Sequence, residues 1–257
     1  RNLNHDSGEF LERFPALAEA LVRDGAKIIV SFGPDATRAA MAATKTIPIV
    51  AVSAFVEEGL VSQLSRPAGN LTGVSILVNE LDPKKLEVLK ELLPETSHVA
   101  VLNDAATRIP ERPAAMAAAA DQLRLKLTTQ SVTAPAEFEP AFQSFRAAAA
   151  TALAINSSTL FASMRSQLGA LSSKYRLPAI CQWREMVESG CLASYGPTQK
   201  EMFELVADYV ARVFAGARPE SLPIVQPRRL ELVINQKVAR EMGLTIPQRM
   251  LDRADEV

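Results

Sequence analysis

Apolar residues along this chain recur in two alternating rhythms, one of period near 3.6 and one of short continuous β-branched runs. Residues 10–23 carry Phe10, Phe14, Leu17, Leu21 and Val22 at helical spacing, and Gly25 stops that helix before the run KIIVSFG at 27–33. The pattern predicts a helix followed by a buried strand. Pro34-Asp35 opens a second helix, DATRAAMAA, and IPIVAVS at 47–53 is the next continuous apolar strand. Helical spacing returns at 58–64, the loop RPAGN follows, and LTGVSI at 71–76 reads as a short strand.

A second series then begins. It predicts a helix at 83–93, a strand at 98–103, an Ala-rich helix at 113–123, a strand at 125–132, a helix at 140–149, the strand TALAIN, a helix at 160–175 and the strand LPAICQW. GCLASYG at 190–196 is a last short strand, followed by a long amphipathic helix at 198–215. The Pro-punctuated passage RPESLPIVQP leads to the strand LELVIN and a terminal helix ending before Gly243. Strands alternating with helices imply parallel sheets covered on both faces. Two blocks of βα steps fit two doubly wound α/β lobes better than one barrel, although periodicity alone leaves the barrel open.

The chain has 257 residues, 48% of them hydrophobic and 22% charged, a composition able to bury a full core. Its net charge of -1 removes the electrostatic case for nucleic acid as a partner, which requires a surplus of Lys and Arg. No apolar run approaches the roughly 18 residues of a membrane span, and RNLNHDSGEF at the start has no apolar core of a signal peptide. Cys181 and Cys191 are too few for a disulfide scaffold or a zinc site, and read as buried thiols or a local disulfide.

Catalytic and cofactor signatures are missing: there is no GxGxxG, Walker loop, HExxH or GxSxG. His5 lies in a polar terminal segment and His98 starts a strand, at the end of a sheet where ligands do not sit. In doubly wound sheets ligands lie beyond the carboxyl ends of the strands, so the candidates are the residues just after each apolar run. After KIIV come Ser31, Phe32 and Gly33, then Asp35 and Thr37 at a helix start whose backbone N–H groups favour an anion; simple capping by Asp35 is the alternative. IPIVAV is followed by Ser53, Ala54 and Phe55, HVAVL by Asn103 and Asp104, and TALAI by Asn156, Ser157, Ser158 and Thr159. Gln182, Trp183 and Arg184 follow LPAIC, and Tyr195 follows CLAS. The set is polar but rarely charged. Trp183 and Tyr195 suit an aromatic wall around a small organic ligand, with core packing as the alternative for Trp183.

The segments RPAGNLTGVS, WREMVESGCLASYG and LELVINQKVAREMGLTIP, in an order that spans nearly the whole chain, resemble the ABC-transporter substrate-binding proteins of the tryptophan/tyrosine-type group. The resemblance implies a type I periplasmic binding fold: an N-terminal lobe of residues 1–74 and 197–227, a C-terminal lobe of 75–196 and 228–257, and three hinge crossings near 72–75, 195–197 and 226–230. A small-molecule ligand would be clamped between lobes and presented to a membrane permease, in the periplasm or otherwise outside the cytoplasm, with no catalysis and no cofactor. Ser31 to Thr37 and Ser53 to Phe55 would contribute from one lobe; Asn103, Ser157 to Thr159 and Gln182 to Arg184 would contribute from the other.

Amino-acid binders of the group tend to show Asp-Pro where this chain has Ala54-Phe55, and Asp where it has Ser158. That implies a carboxylate-bearing, partly apolar or aromatic ligand whose acid is met by the helix start at 34–37 or by Arg184, because a buried ammonium without a carboxylate is unfavourable. Family members also carry about two βα steps before the segment matching 4–23, about 60 residues at usual element lengths, so the family pattern leads one to expect that Arg1 lies inside a longer secreted protein. Two other classes stand beside the receptor. One is the effector domain of a regulator; the other is a racemase or lyase using both cysteines, which such enzymes place on opposite sides of the substrate.

Overall fold

The computed structural model describes residues 13–67, 69–107 and 109–257; His5 and Phe10 lie outside them. The elements run α1 (Phe14–Arg23), β1 (Ile29–Phe32), α2 (Pro34–Ala43), β2 (Ile49–Ser53), β3 (Leu71–Ser75), α3 (Val78–Leu92), β4 (His98–Asp104), α4 (Arg112–Leu123) and β5 (Lys126–Val132). They continue with α5 (Phe138–Ala147), β6 (Ala152–Ile155), α6 (Thr159–Ser163), α7 (Arg165–Lys174), β7 (Ala179–Cys181) and α8 (Arg184–Glu188). The chain ends through β8 (Ala193–Pro197), α9 (Gln199–Phe214), β9 (Leu230–Ile234), α10 (Gln236–Glu241) and α11 (Gln248–Arg253).

Two compact units result, Arg1–Leu77 with Pro197–Arg229 and Val78–Gly196 with Leu230–Val257, so the chain passes between them three times. Each unit has its own sheet, of order β1-β2-β3 in the first and β5-β4-β6-β7-β8-β9 in the second, which excludes a single closed barrel for the described residues.

In the first unit β1, β2 and β3 pair in parallel, and β2 and β3 are buried at every position. Helix α2 packs against β1 and β2, and α9 against β2 and β3. The return segment covers the outer side of β3: Ser75 N donates to Val225 O and Thr72 Oγ1 to Leu222 O. The run at 27–33 is not the fully buried strand expected from its apolar character. Among the described residues β1 is an edge strand, and Val30 and Phe32 are exposed on its outer side, with Phe32 edge-on to Phe203 at 5.8 Å. The helix expected at 58–64 is a set of turns, because the carbonyl of Phe55 collects the N–H groups of Leu60 and Val61, and Arg38 anchors the Glu58 carboxylate.

In the second unit side chains alternate between two cores, as a period of two requires. Val99, Val101, Ala154, Ile180 and Ala193 face α3, α4, α10 and α11. Ala100, Leu102, Leu153, Ile155 and Cys181 face α5, α6, α7 and α8. Strand β4 lies between β5 and β6, so the connection through α4 leaves β4 on one side and the connection through α5 returns on the other. The carboxyl ends of β4 and β6 therefore form a topological switch point, where helices diverge and open a crevice. The single helix expected at 160–175 is divided at Met164 (φ -98°, ψ 21°), and an additional short helix, α11, follows the expected terminal one.

Thr198 and Glu201 have capping-box spacing at the start of α9, and Thr198 Oγ1 accepts the Glu201 N–H at 3.3 Å. The Glu201 carboxylate does not reach back to Thr198. Its oxygens accept the backbone N–H groups of Arg228 (3.0 Å) and Arg229 (2.8 Å), and Thr198 N donates to Arg229 O. One side chain thus fastens together two of the three stretches at which the chain changes unit. Replacing it, as Glu201→Ala, is expected to lower stability by about 1–2 kcal/mol in urea unfolding followed by circular dichroism, the worth of two hydrogen bonds to a partly exposed carboxylate.

Candidate functional site

In the first unit the strand-to-helix turn after β1 is built around Gly33, whose φ of 83° suits a residue without a Cβ and whose N–H donates to Val52 O at 2.8 Å. Pro34 then opens α2 at its first position, where its missing N–H costs nothing. Thr37 Oγ1 donates to Gly33 O at 2.7 Å, so Ser31 supplies the proton of the 3.0 Å bond between Ser31 Oγ and Thr37 Oγ1. Both hydroxyls hold the turn in shape. Asp35 does not cap α2, since Gly33 occupies the cap and Asp35 stands inside the first turn at 3.7 Å from Arg38. Ser53 ends the neighbouring strand in register one step past the Phe32–Val52 pair, which sets it beside Gly33. Its Oγ is buried and has no hydrogen-bond partner.

Phe55 is a correction. It is fully enclosed among Ile49, Ala51, Leu71 and Ile224, so it fills the core and does not line a surface.

In the second unit, registers place Asn103, Asn156, Gln182 and Tyr195 on one rung across β4, β6, β7 and β8, one step beyond the pairs Leu102–Ile155 and Cys181–Ser194. By alternation all four share the face of Val101, Ala154, Ile180 and Ala193. Gly196 lets β8 come close to β7 here: a Cβ on it would sit 2.4 Å from Gln182 O. Asn156 Nδ2 donates to Asn103 Oδ1 at 2.5 Å. Asn156 Oδ1 and both amide atoms of Gln182 are left without partners, although these residues are only 2% and 3% exposed. Buried polar atoms are nearly always bonded, and those that are not mark a place for water or a ligand.

Among the other candidates at this edge, Ser158 and Arg184 are committed to partners within the unit, and the half-buried Trp183 and Tyr195 rest against its cores. Ser158 caps α6, accepting from Leu160 N and Phe161 N, and donates to Asp104 Oδ2 at 2.5 Å. Thr159 is half-buried as the first residue of that helix. Trp183 packs against the α5–α8 core, and Tyr195 packs against the α3–α4 core. Arg184 is a second correction: it forms ion pairs with Glu256 and Glu188, and the Glu256 carboxylate raises its pKa further. An incoming acid would have to compete with two carboxylates already present.

The residues that sequence reasoning did not find are charged. Asp82 and Lys85 on α3 are fully buried, and Arg112 at the start of α4 is nearly so. Asp82 meets Lys85 Nζ at 2.8 Å through Oδ1 and Arg112 Nε at 2.8 Å through Oδ2. Lys85 Nζ also donates to Ile155 O, Arg112 Nη2 to Ser157 O, and Ser157 gives both its N–H and its hydroxyl to Asp82 Oδ1. Ser157 therefore belongs to this network, a third correction: its N–H and hydroxyl proton are spent on Asp82 and its carbonyl receives Arg112. The helix expected from residue 83 begins at Val78, as α3, and turns Asp82 and Lys85 inward.

Cys181 and Cys191 are free, buried thiols, and burial raises the Cys181 pKa well above its ordinary value, the opposite of an activated nucleophile. His98 bonds Thr128 Oγ1 at 2.8 Å, away from the carboxyl edge.

Three comparisons bear on this arrangement. The family model described as ABC transporter substrate binding protein matches residues 6–257. A curated tyrosine-binding protein of Clostridioides difficile is 24% identical over 232 residues, which are 89% of this chain and 66% of that protein, so the chain spans just under two thirds of its relative. Among solved structures, a conserved domain protein of Vibrio cholerae superposes with a TM-score of 0.87 at 26% identity, covering 96% of this chain and 83% of the other. An ABC domain from Streptococcus pneumonia in complex with L-Trp superposes with a TM-score of 0.84 at 24% identity, covering 96% and 86%, a likeness of fold.

Two expectations follow from the polar groups. Asp82→Asn leaves two buried cations without a counter-charge and is expected to lose about 3–5 kcal/mol in urea unfolding, whereas Lys85→Met keeps the Asp82–Arg112 pair and loses less. Burial, and then Lys126, lower the His98 pKa below 6.5. The unfolded chain therefore binds the proton more readily, and the stability due to neutral His98 is present above pH 6.5 and lost as the pH falls through the lower folded value. Melting curves between pH 8 and about pH 5 should decline less steeply for His98→Gln.

Proposed function

This chain belongs to the ABC transporter substrate-binding protein family, and we propose that it is the solute receptor of an importer, taking a small amino-acid-like or aromatic carboxylate. The observation that carries the reading is the set of buried, unpartnered polar atoms at the carboxyl ends of parallel strands: Ser53 Oγ in one unit, Asn156 Oδ1 and the Gln182 amide in the other. Residues that serve only the fold have no reason to keep such atoms unbonded, because each one left unsatisfied costs about 1–3 kcal/mol. A ligand that supplies their partners recovers that free energy on binding.

In this reading the first unit receives the acid. The start of α2 offers backbone N–H groups and the positive end of a ten-residue helix, with Ser53 adjacent in register. The second unit reads the rest of the molecule through Asn156, Gln182, Trp183 and Tyr195. The three chain crossings serve as the hinge, and closure follows from the ligand's higher affinity for the closed state. A membrane permease is the partner and the site of action is outside the cytoplasm, as the family relationship implies. Relatives named for tyrosine and L-Trp support an aromatic amino acid or a close analogue as the ligand. The relatives are binding proteins, which favours transport over catalysis, and the family match favours it over a regulator's effector domain.

Calorimetry of the 257-residue chain with L-tryptophan, L-tyrosine, L-leucine and their deaminated acids tests this reading. At least one should bind with micromolar or tighter affinity. Ser53→Ala should weaken that binding about tenfold, the worth of one hydrogen bond, and leave the ligand-free melting temperature unchanged because Ser53 Oγ has no partner among the described residues. Absence of binding across the set would end the reading.

A further inference from the structure

Asp104 is the last residue of β4, at the switch point between β4 and β6, and is 6% exposed. The two other buried acidic residues each face a cation, Glu58 with Arg38 and Asp82 with Lys85 and Arg112. Among the described residues Asp104 forms no ion pair. Its contacts are neutral donors: Ala106 N at 2.9 Å on Oδ1, and on Oδ2 the Ser158 hydroxyl at 2.5 Å and a long contact of 3.4 Å from Thr107 Oγ1. A carboxylate has about four lone-pair sites, so accepting capacity is left over. No described residue supplies a counter-charge, and the carboxyl group stands at the strand ends where a doubly wound sheet binds its ligand.

Asn156 Oδ1 and both amide atoms of Gln182 are without partners at the neighbouring strand ends, on the face of Val101, whereas Asp104 alternates to the face of Val132, and there the unused capacity is of acceptors alone. A group that presents several N–H donors, a positive charge and no acceptor fits that surplus, and a protonated primary amine is such a group. An anion does not fit it.

We propose that Asp104 is the specificity-determining residue of the receptor, accepting the ammonium group of an amine-bearing ligand. The inference rests on the receptor reading and sharpens its ligand to amino acids over their deaminated acids. It also changes what Ser158 means. The hydroxyl at 158 does not leave the edge without an anion, because it holds the carboxylate of Asp104 from the neighbouring strand.

The experiment is calorimetry of matched pairs, L-tryptophan with indole-3-propionate, L-tyrosine with 3-(4-hydroxyphenyl)propionate and L-leucine with 4-methylpentanoate, on the wild-type chain and on Asp104→Asn. In the wild type the amine-bearing member of the bound pair should be at least about tenfold tighter, the scale of a charge-assisted hydrogen bond. Asp104→Asn should shrink that ratio about tenfold or more through loss of the amino acid, with the deaminated acid unchanged. The ligand-free variant should melt at or above the wild type, since no ion pair with a described residue is lost. Asp104→Ser, which retains an acceptor for Ala106 N, should shrink the ratio equally if the Asn variant does not fold.

A wild type that prefers the deaminated acids overturns the proposal and leaves the receptor reading standing. So does a variant that melts lower with an unaltered ratio, which would make Asp104 only a staple of its loop. If none of the six compounds binds, both fall together.

Discussion

The carboxylate of Asp82 is the interaction on which the second unit depends. Fully buried, it faces two cations from two helices and holds both the N–H and the hydroxyl of Ser157, while Lys85 and Arg112 take up the carbonyls of Ile155 and Ser157 on either side. Burying three charges is unfavourable unless every one is paired and bonded, and a well-packed apolar replacement is often as stable. Position is therefore the better explanation for the network. It fixes the end of β6 relative to α3 and α4, and that end is where the sheet changes direction.

Against that rigid support, the distribution of unmet bonding capacity becomes informative. Ser31, Thr37, Ser157 and Ser158 were equal candidates with Ser53, Asn156 and Gln182 by residue type, and the fold separates them. The first group spends its hydroxyls on Gly33 O, Asp82, Asp104 and the start of α6, giving the edge its shape. The second group has buried atoms with nothing to bond. A binding surface needs both kinds: residues that hold the geometry and residues whose bonds are completed only by the ligand.

Much of this was legible in the sequence, because strand ends follow directly from apolar runs and parallel topology directs ligands to one edge. The rule reached Asn103, Gln182 and Tyr195, and they share one rung. It failed wherever a partner lies far along the chain. Arg184 meets Glu256, 72 residues away, and Ser157 meets Asp82, 75 residues away, so neither commitment has a local signal. Phe55 looked like an aromatic at a strand end, yet the turns after β2 fold it inward. Lys85 had no signal at all, because the sequence does not report which side of α3 meets the sheet.

Asp82 and Asp104 make the closing contrast. Both are buried carboxylates of the second unit, and Ser157 and Ser158, adjacent residues, donate to one each. Asp82 is neutralised twice over from within the protein, so a ligand cation would gain little there and would meet the repulsion of Lys85 and Arg112. Among the described residues Asp104 meets only neutral donors, so its remaining lone pairs stay open to a cation. A single turn of chain after β6 thus divides two carboxyl groups into one that holds the fold and one with accepting capacity to spare. A buried acid that meets no cation is unfavourable by itself. It is stable only as part of a structure whose remaining contacts outweigh it, a common condition of residues at functional sites.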